Sequence, residues 1–288
     1  ESITVIDDTY NANLESCVAA IDYLIAFAGN GRKIVVFGDM LEKDKLEKLI
    51  GEVDCVVLLA GLVGDPITKK YPLESEQIND ISVKKCIDYF NGKGIAKLIF
   101  ISTCSNYGLI KDDELADENY ELTPLSLYAK AKVSNEKYLI NKKNIVDYTG
   151  VVLRFSTAFG LSPRMRFDLS ISEFVKEMYD GKELEVYDEY TWRPYCHVRD
   201  FARLLDLVIN SEKEKVNFEV FNAGGDINNS TKKMLVDEIM THLPNAKVIY
   251  LANGNDPRNY KVSFKKVKET LGFEPEYTIK DGVKELIE

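Results

Sequence analysis

Lys97-Leu98-Ile99-Phe100-Ile101-Ser102-Thr103-Cys104-Ser105-Asn106-Tyr107-Gly108 joins a short unbroken apolar run to a polar turn closed by glycine. A run this short, with no polar alternation, is the mark of a strand buried on both faces. The same reading applies to Ile3–Ile6, Lys33–Phe37, Cys55–Leu59 and Gly150–Phe155. Between these runs lie stretches of helical period. Leu14, Val18, Ile21 and Ile25 recur within 14–28; Ile78, Ile81, Cys86 and Tyr89 recur within 76–91; Tyr128, Ala131, Tyr138 and Leu139 recur within 128–140. Strands buried on both faces that alternate with amphipathic helices predict an α/β fold: a Rossmann-like, doubly wound parallel sheet.

Past Gly160 the alternation loosens. Helices are expected over Leu169–Tyr179, Val198–Val208, Ser230–Leu243 and Phe264–Leu271, and short strands over Glu185–Tyr187, Val220–Asn222 and Lys247–Leu251. Arg164, Arg166, Arg193, Arg199, Arg203 and Arg258 all fall in this half. The expected organisation is therefore a dinucleotide-binding region over 1–160 and a smaller C-terminal substrate lobe over 161–288.

Composition narrows the classes. With 288 residues, 45% hydrophobic, the chain can bury a full core, which excludes disorder. Its longest apolar stretch, from Cys55 to about Gly64, is too short to cross a bilayer. Acids at Asp7 and Asp8 stand where a basic signal-peptide region would lie. Five scattered cysteines without a Cys-x-x-Cys pair read as free thiols of a reducing cytoplasm, with no metal site. A pI near 5.0 argues against nucleic acid as a partner.

Tyr-x-x-x-Lys occurs four times, at Tyr89/Lys93, Tyr107/Lys111, Tyr128/Lys132 and Tyr138/Lys142. Spacing alone does not choose among them, but context does. Tyr89/Lys93 straddles a turn signal at Asn91-Gly92, Tyr107/Lys111 lies in a loop, and Tyr138/Lys142 sits at a fraying helix end. Only Tyr128/Lys132 occupies the first turns of a helix, announced by Pro124 and a cap residue at Ser126. One helical turn sets Lys132 beside Tyr128. An ammonium about 6 Å away, at an effective dielectric of ~20, stabilises a phenolate by roughly 3 kcal/mol. That would make tyrosine a usable base towards a carbon-bound hydroxyl, which Thr103 at its strand end could also hold.

These residues resemble the extended short-chain dehydrogenases/reductases that act on nucleotide-diphosphate sugars. The likeness runs over about 38–286. It rests on Gly38-Asp39-Met40, the stretch Leu58 to Pro66, Ser102 to Gly108, Pro124 to Lys132, Leu153-Arg154-Phe155, Trp192 to Val198, and Asp256 to Tyr260. The resemblance implies NAD or NADP as cofactor and Tyr128 as base. Lys132 would also grip the nicotinamide ribose, and Thr103 would polarise the hydroxyl. Asp39 and Met40 would flank the adenine, with Leu59, Ala60, Gly61 and Phe155 completing the cofactor site. Arg193 and Arg258 would clamp the substrate's diphosphate, a task for which forked guanidinium groups are suited. A homodimer through the Tyr128 helix and its neighbour over 76–91 is also implied. Dehydratases of this family carry an acid after the threonine. Cys104 and Ser105 stand there instead, which leaves epimerisation or simple oxidation and reduction. A small buried thiol is expected at Cys104, and a packing or hydrogen-bonding residue at His197.

One family element is absent: the Gly-rich pyrophosphate loop. Residues 6–16 read Ile-Asp-Asp-Thr-Tyr-Asn-Ala-Asn-Leu-Glu-Ser, with no glycine before Gly29. Residues 1–42 instead resemble the C-terminal domain of the Mur ligase that adds D-alanyl-D-alanine, through Val5 to Asn13 and Lys33 to Glu42. The ATP-binding loop of such a ligase is missing, which argues against ligation. One βα unit precedes Gly38-Asp39 where relatives have two, so Lys33–Phe37 would sit second in the sheet and Asp39 at the ribose-binding position. The expected function is an NAD(P)-dependent nucleotide-sugar epimerase or oxidoreductase. The alternative is a non-catalytic nucleotide-sugar-binding protein, or a chimera with impaired cofactor binding.

Overall fold

A computed structural model describes residues 34–37, 53–59, 61–63, 65–111, 114–163, 165–254 and 256–288. The expected strand Ile3–Ile6, the helix over 14–28, the segment 6–16, and Asp39, Met40 and Ala60 lie outside the described residues.

The described residues begin with β1 (Ile34–Phe37) and β2 (Cys55–Leu58), followed by α1 (Asp65–Lys70), α2 (Pro72–Glu76), a π-helical turn (Gln77–Ser82) and α3 (Val83–Tyr89). Next come β3 (Lys97–Thr103), a 3₁₀ turn (Cys104–Tyr107), α4 (Leu127–Ile140), β4 (Thr149–Phe155), β5 (Thr157–Phe159) and α5 (Ser170–Tyr179). Then follow β6 (Glu183–Tyr187), β7 (Trp192–His197), α6 (Val198–Asn210), α7 (Lys213–Val216), β8 (Glu219–Ala223) and β9 (Asn229–Thr231). The chain closes with α8 (Lys232–His242), β10 (Lys247–Leu251), α9 (Lys265–Leu271) and α10 (Ile279–Ile287). β1 to β4 fall where continuous apolar runs were read.

The five-stranded sheet is ordered β1-β2-β3-β4-β8, with β1 parallel to β2 and β2 parallel to β3. Leu98, Ile99 and Phe100 are each fully buried, contributing roughly 1.5–3 kcal/mol per side chain. Two compact units form. The first gathers the described residues up to Ile101 with 126–152 and 216–219; the second gathers 102–125, 153–215 and 220–288. Neither is one continuous stretch of chain.

In the first unit, Gly150 on β4 is glycine for lack of room. An added Cβ would lie 2.8 Å from the Phe218 ring and 3.1 Å from Leu139 of α4. The helix expected over 76–91 divides into a π-turn and α3. The turn inserts one residue per repeat, and the Asn79 carbonyl accepts a hydrogen bond from Asn135 Nδ2 at 2.6 Å.

In the second unit, β5 runs parallel to β7, β9 runs antiparallel to β7, and β6 pairs in parallel with β10. Ile171, Phe174, Val175 and Met178 recur at helical spacing on α5 and bury one stripe. On β6, Leu184 and Val186 point inward while Glu183, Glu185 and Tyr187 point outward. The helix expected from Ser230 begins at Lys232 instead. The residues before it pair as β9, and the Thr231 hydroxyl caps the helix by accepting from Met234 N.

Candidate active site

The first unit contains the Tyr128/Lys132 pair. Ser126 caps α4, its hydroxyl accepting from Ala129 N at 3.1 Å, and this fixes Tyr128 and Lys132 on the first two turns. Lys132 is 2% exposed. Its ammonium donates to the Ile101 carbonyl at 2.6 Å and lies 4.7 Å from the Phe100 ring centroid and 5.6 Å from that of Tyr128. The turn of helix therefore delivers the proximity expected from spacing. Burial lowers the Lys132 pKa to about 8, against an opposing effect of Glu136 one turn on. The ammonium remains mostly charged at pH 7.

The other pairs differ in kind. Tyr138 and Lys142 both bond Asp88, each at 2.6 Å, so a carboxylate already answers that lysine. The Tyr107 hydroxyl is fully buried, donates to Asn222 Oδ1 at 2.7 Å and accepts from Arg154 at 2.9 Å. Burial raises its pKa, despite the opposing Arg154 charge. Tyr89 has Lys93 4.8 Å from its ring.

Beyond β2, Leu59 is exposed and Gly61 half-buried. Asn79 holds this loop from the π-turn: its Oδ1 accepts from Leu62 N at 2.7 Å and its Nδ2 donates to Leu62 O at 3.0 Å. A Cβ on Gly61 would lie 2.9 Å from that same Oδ1. Asn79 is a positioning residue that the sequence reading missed. It is 1% exposed, yet the sequence shows only a polar residue set between the apolar Ile78 and Ile81.

A dinucleotide's nicotinamide–ribose end suits the residues present. An ammonium has three donors, and among the described residues the hydrogen-bond acceptor that meets Lys132 is the Ile101 carbonyl. Ribose hydroxyls would satisfy the others. The adenosine-side candidates Asp39 and Met40 lie outside the described residues.

In the second unit, Thr103 caps the 3₁₀ turn: its Oγ1 accepts from Ser105 N at 3.1 Å and lies 2.9 Å from Ser105 Oγ. Cys104 is buried, and its thiol donates to the Arg154 carbonyl at 3.1 Å. Phe155 stacks on Phe201 with centroids 3.9 Å apart. His197 is fully buried, with Nδ1 accepting from Arg199 N at 3.1 Å and Nε2 2.9 Å from Glu285. Both ring nitrogens are engaged in structure.

Arg193 and Arg258 line one cavity of about 600 Å³ with Lys232, Tyr195, Tyr260 and Asp256. Asp256 joins them. It accepts from Arg258 Nε at 2.7 Å and Nη2 at 2.8 Å, and from Arg193 Nη2 at 3.1 Å. Burial works to raise the Asp256 pKa. The hydrogen bond from Arg258 and both guanidinium charges outweigh it, so the carboxyl stays well below the usual range. The two arginines expected to clamp a diphosphate thus share one carboxylate in a cavity wall. Asp256 was quoted from the sequence without a role, although a carboxylate two residues before Arg258 was a readable sign of one.

Among the described residues no group of histidine, cysteine and acids could hold a metal ion, and no helix is long and apolar enough to cross a membrane. Cys55, Cys86, Cys104 and Cys196 are all buried.

The sequence profile of the NAD dependent epimerase/dehydratase family matches residues 2–224. A UDP-glucuronate 4-epimerase of Thermodesulfobacterium geofontis is 27% identical over 239 residues, covering 82% of this chain and 72% of that protein. Among solved structures, RMD from Pseudomonas aeruginosa complexed with NADPH superposes with a TM-score of 0.76 at 20% identity, over 96% of each chain. A UDP-glucose 4-epimerase of Thermotoga maritima, solved with UDP-glucose, gives 0.75 at 24% identity over 96% of this chain and 94% of that one. These likenesses to solved structures establish a Rossmann-like fold.

Proposed function

The chain belongs to the NAD dependent epimerase/dehydratase family, and from that premise we propose an NAD(P)-dependent epimerase or oxidoreductase that acts on a ring carbon of a nucleotide-diphosphate sugar. The observation that carries this reading is the Lys132 ammonium, buried and held by the Ile101 carbonyl, 5.6 Å from the Tyr128 ring. Burying a lysine costs several kcal/mol unless its charge is paired and hydrogen-bonded, and a Tyr128 phenolate would be such a partner.

In this reading Tyr128 takes the proton of a sugar hydroxyl and Lys132 stabilises the phenolate that does so. Bound NAD(P)⁺ would supply a hydride acceptor for the carbon bearing that hydroxyl. Thr103 would hold the hydroxyl, and Arg193 and Arg258 the diphosphate. Leu59, Gly61 and Phe155, with Asp39, Met40 and Ala60, remain the proposed cofactor contacts. Dehydration is disfavoured: the Cys104 thiol is buried on the Arg154 carbonyl, and Ser105 offers only a hydroxyl. Neither is an acid able to protonate a departing hydroxyl. The enzyme would work in the cytoplasm, which the buried free thiols of Cys86 and Cys196 suit. A homodimer is proposed, and light scattering that returned a monomer would remove it.

The test is turnover of a panel of UDP- and GDP-sugars by the parent and by Tyr128→Phe, with absorbance of the purified protein to detect bound NAD(H). We expect Tyr128→Phe to lose about 100-fold or more in kcat, as removal of a general base does. Unchanged turnover would refute the mechanism.

A further inference from the structure

We propose that Lys232 is a third cation for the substrate's diphosphate, acting with Arg193 and Arg258, so that this cavity selects ligands with two phosphoryl groups over those with one. The inference rests on reading the cavity as the nucleotide-sugar site.

Lys232 is the first residue of α8, where unpaired N–H groups already give a partial positive charge. A cation there opposes the helix dipole, so the electrostatics of the helix end give no reason for one. The same side chain lines the cavity that Arg193 and Arg258 line. Three cations thus face Asp256, the carboxylate to which both arginines are bonded. The Asp188 carboxylate also acts on Lys232, but it accepts from the backbone amides of Asn253 and Gly254, at 3.0 and 2.8 Å. Such crowding is unfavourable unless a ligand brings negative charge, and locally unfavourable choices of this kind mark function. Burial, together with Arg193 and Arg258, lowers the Lys232 pKa against the opposing pull of Asp256 and Asp188.

The ammonium is already placed. It donates to the Tyr187 carbonyl at the end of β6, at 2.6 Å, which uses one of its three donors. The other charged residues of the cavity wall are acids: Asp168, Glu173 and Glu177 from the α5 side and Glu183 and Glu185 from β6. In a chain of net charge −10, a small positive spot within an acidic wall does two things. It holds the anion locally, and it fixes which end of the ligand enters where. Arg193, Arg258 and Lys232 are three separate cationic groups on one cavity, enough to be shared between two phosphoryl groups, whereas a single phosphoryl group would engage fewer of them.

Calorimetric titration of the full chain with UDP, UMP, GDP and GMP tests this, for the parent, Lys232→Met and Lys232→Arg. A lost charge-assisted bond weakens binding by about tenfold or more. Lys232→Met should show that loss for the diphosphates and a smaller one for the monophosphates, while Lys232→Arg keeps most of the affinity. Diphosphate binding by Lys232→Met within about twofold of the parent would overturn the proposal. So would an equal loss for diphosphates and monophosphates, the result expected if Lys232 only braces the Tyr187 carbonyl. A parent that binds none of the four nucleotides overturns the reading of the cavity itself, and this inference with it.

Discussion

Lys132→Met should make the protein more stable at neutral pH while removing its activity. In the folded chain burial brings the Lys132 pKa from 10.5 down to about 8. At about 1.4 kcal/mol per pH unit, that corresponds to roughly 3 kcal/mol charged against the fold whenever the side chain is protonated. Methionine keeps most of the side-chain volume and carries no charge. It forfeits the bond to the Ile101 carbonyl and leaves that acceptor unanswered, which returns about 1–2 kcal/mol. The net expectation is a gain of about 1–2 kcal/mol at pH 7. The sign follows from proton counting. Between pH 8 and 10.5 the unfolded chain binds the proton more tightly than the folded one, so parental stability rises with pH across that window. The advantage of Lys132→Met should therefore be greatest below pH 8 and fade towards 10.5. Urea denaturation followed by circular dichroism at pH 7 and pH 9.5, on protein stripped of nucleotide so that ligand linkage does not enter, measures it. If Lys132→Met were the less stable protein at pH 7, or if its advantage did not change with pH, the argument would fail.

Two further outcomes follow from the geometry. The alkaline limb of kcat/KM should fall from about pH 8, because a neutral Lys132 no longer stabilises the Tyr128 phenolate; a pH–rate profile still climbing between 8 and 9.5 would contradict this. Gly160→Ala should destabilise by about 2–4 kcal/mol. The residue sits at φ +99°, and an added Cβ would meet His197 Nε2 at 2.1 Å; a thermal midpoint within one degree of the parent would refute it.

What the sequence disclosed follows from where burial is uniform. β2, β3 and β4 are buried almost throughout, so each writes itself as a continuous apolar run. β7 does not: Trp192-Arg193-Pro194-Tyr195-Cys196-His197 shows neither run nor alternation, yet all six positions form a strand. Its polar members are buried because partners satisfy them, Arg193 by Asp256 and His197 by Glu285. Those partners lie 63 and 88 residues away, and no local pattern announces them. Tyr128 and Lys132 were legible because their relation spans one turn and a serine cap marks where that turn begins. Lys232 was not singled out, since its relation to Arg193 and Arg258 exists only after folding, and the same holds for the bond between Asp256 and Arg193, 63 residues apart. Asn79 was hidden for another reason: a π-turn breaks the 3.6-residue period that would have placed it.

That π-turn also changes what the helical stretch from Pro72 to Tyr89 can present. One additional residue in a helix rotates everything beyond it by about 100° relative to a regular continuation. Ser75 and Asn79, with their hydrogen bond of 3.1 Å, lie on the near side of the offset. Val83, Cys86 and Ile87 lie beyond it and are buried. The stretch therefore behaves as two gears cut out of phase on one shaft, the first meshing with the loop beyond β2 and the second with the hydrophobic interior. Removing a single residue between Gln77 and Ser82 would put the teeth back in step, and one of the two engagements would then be lost.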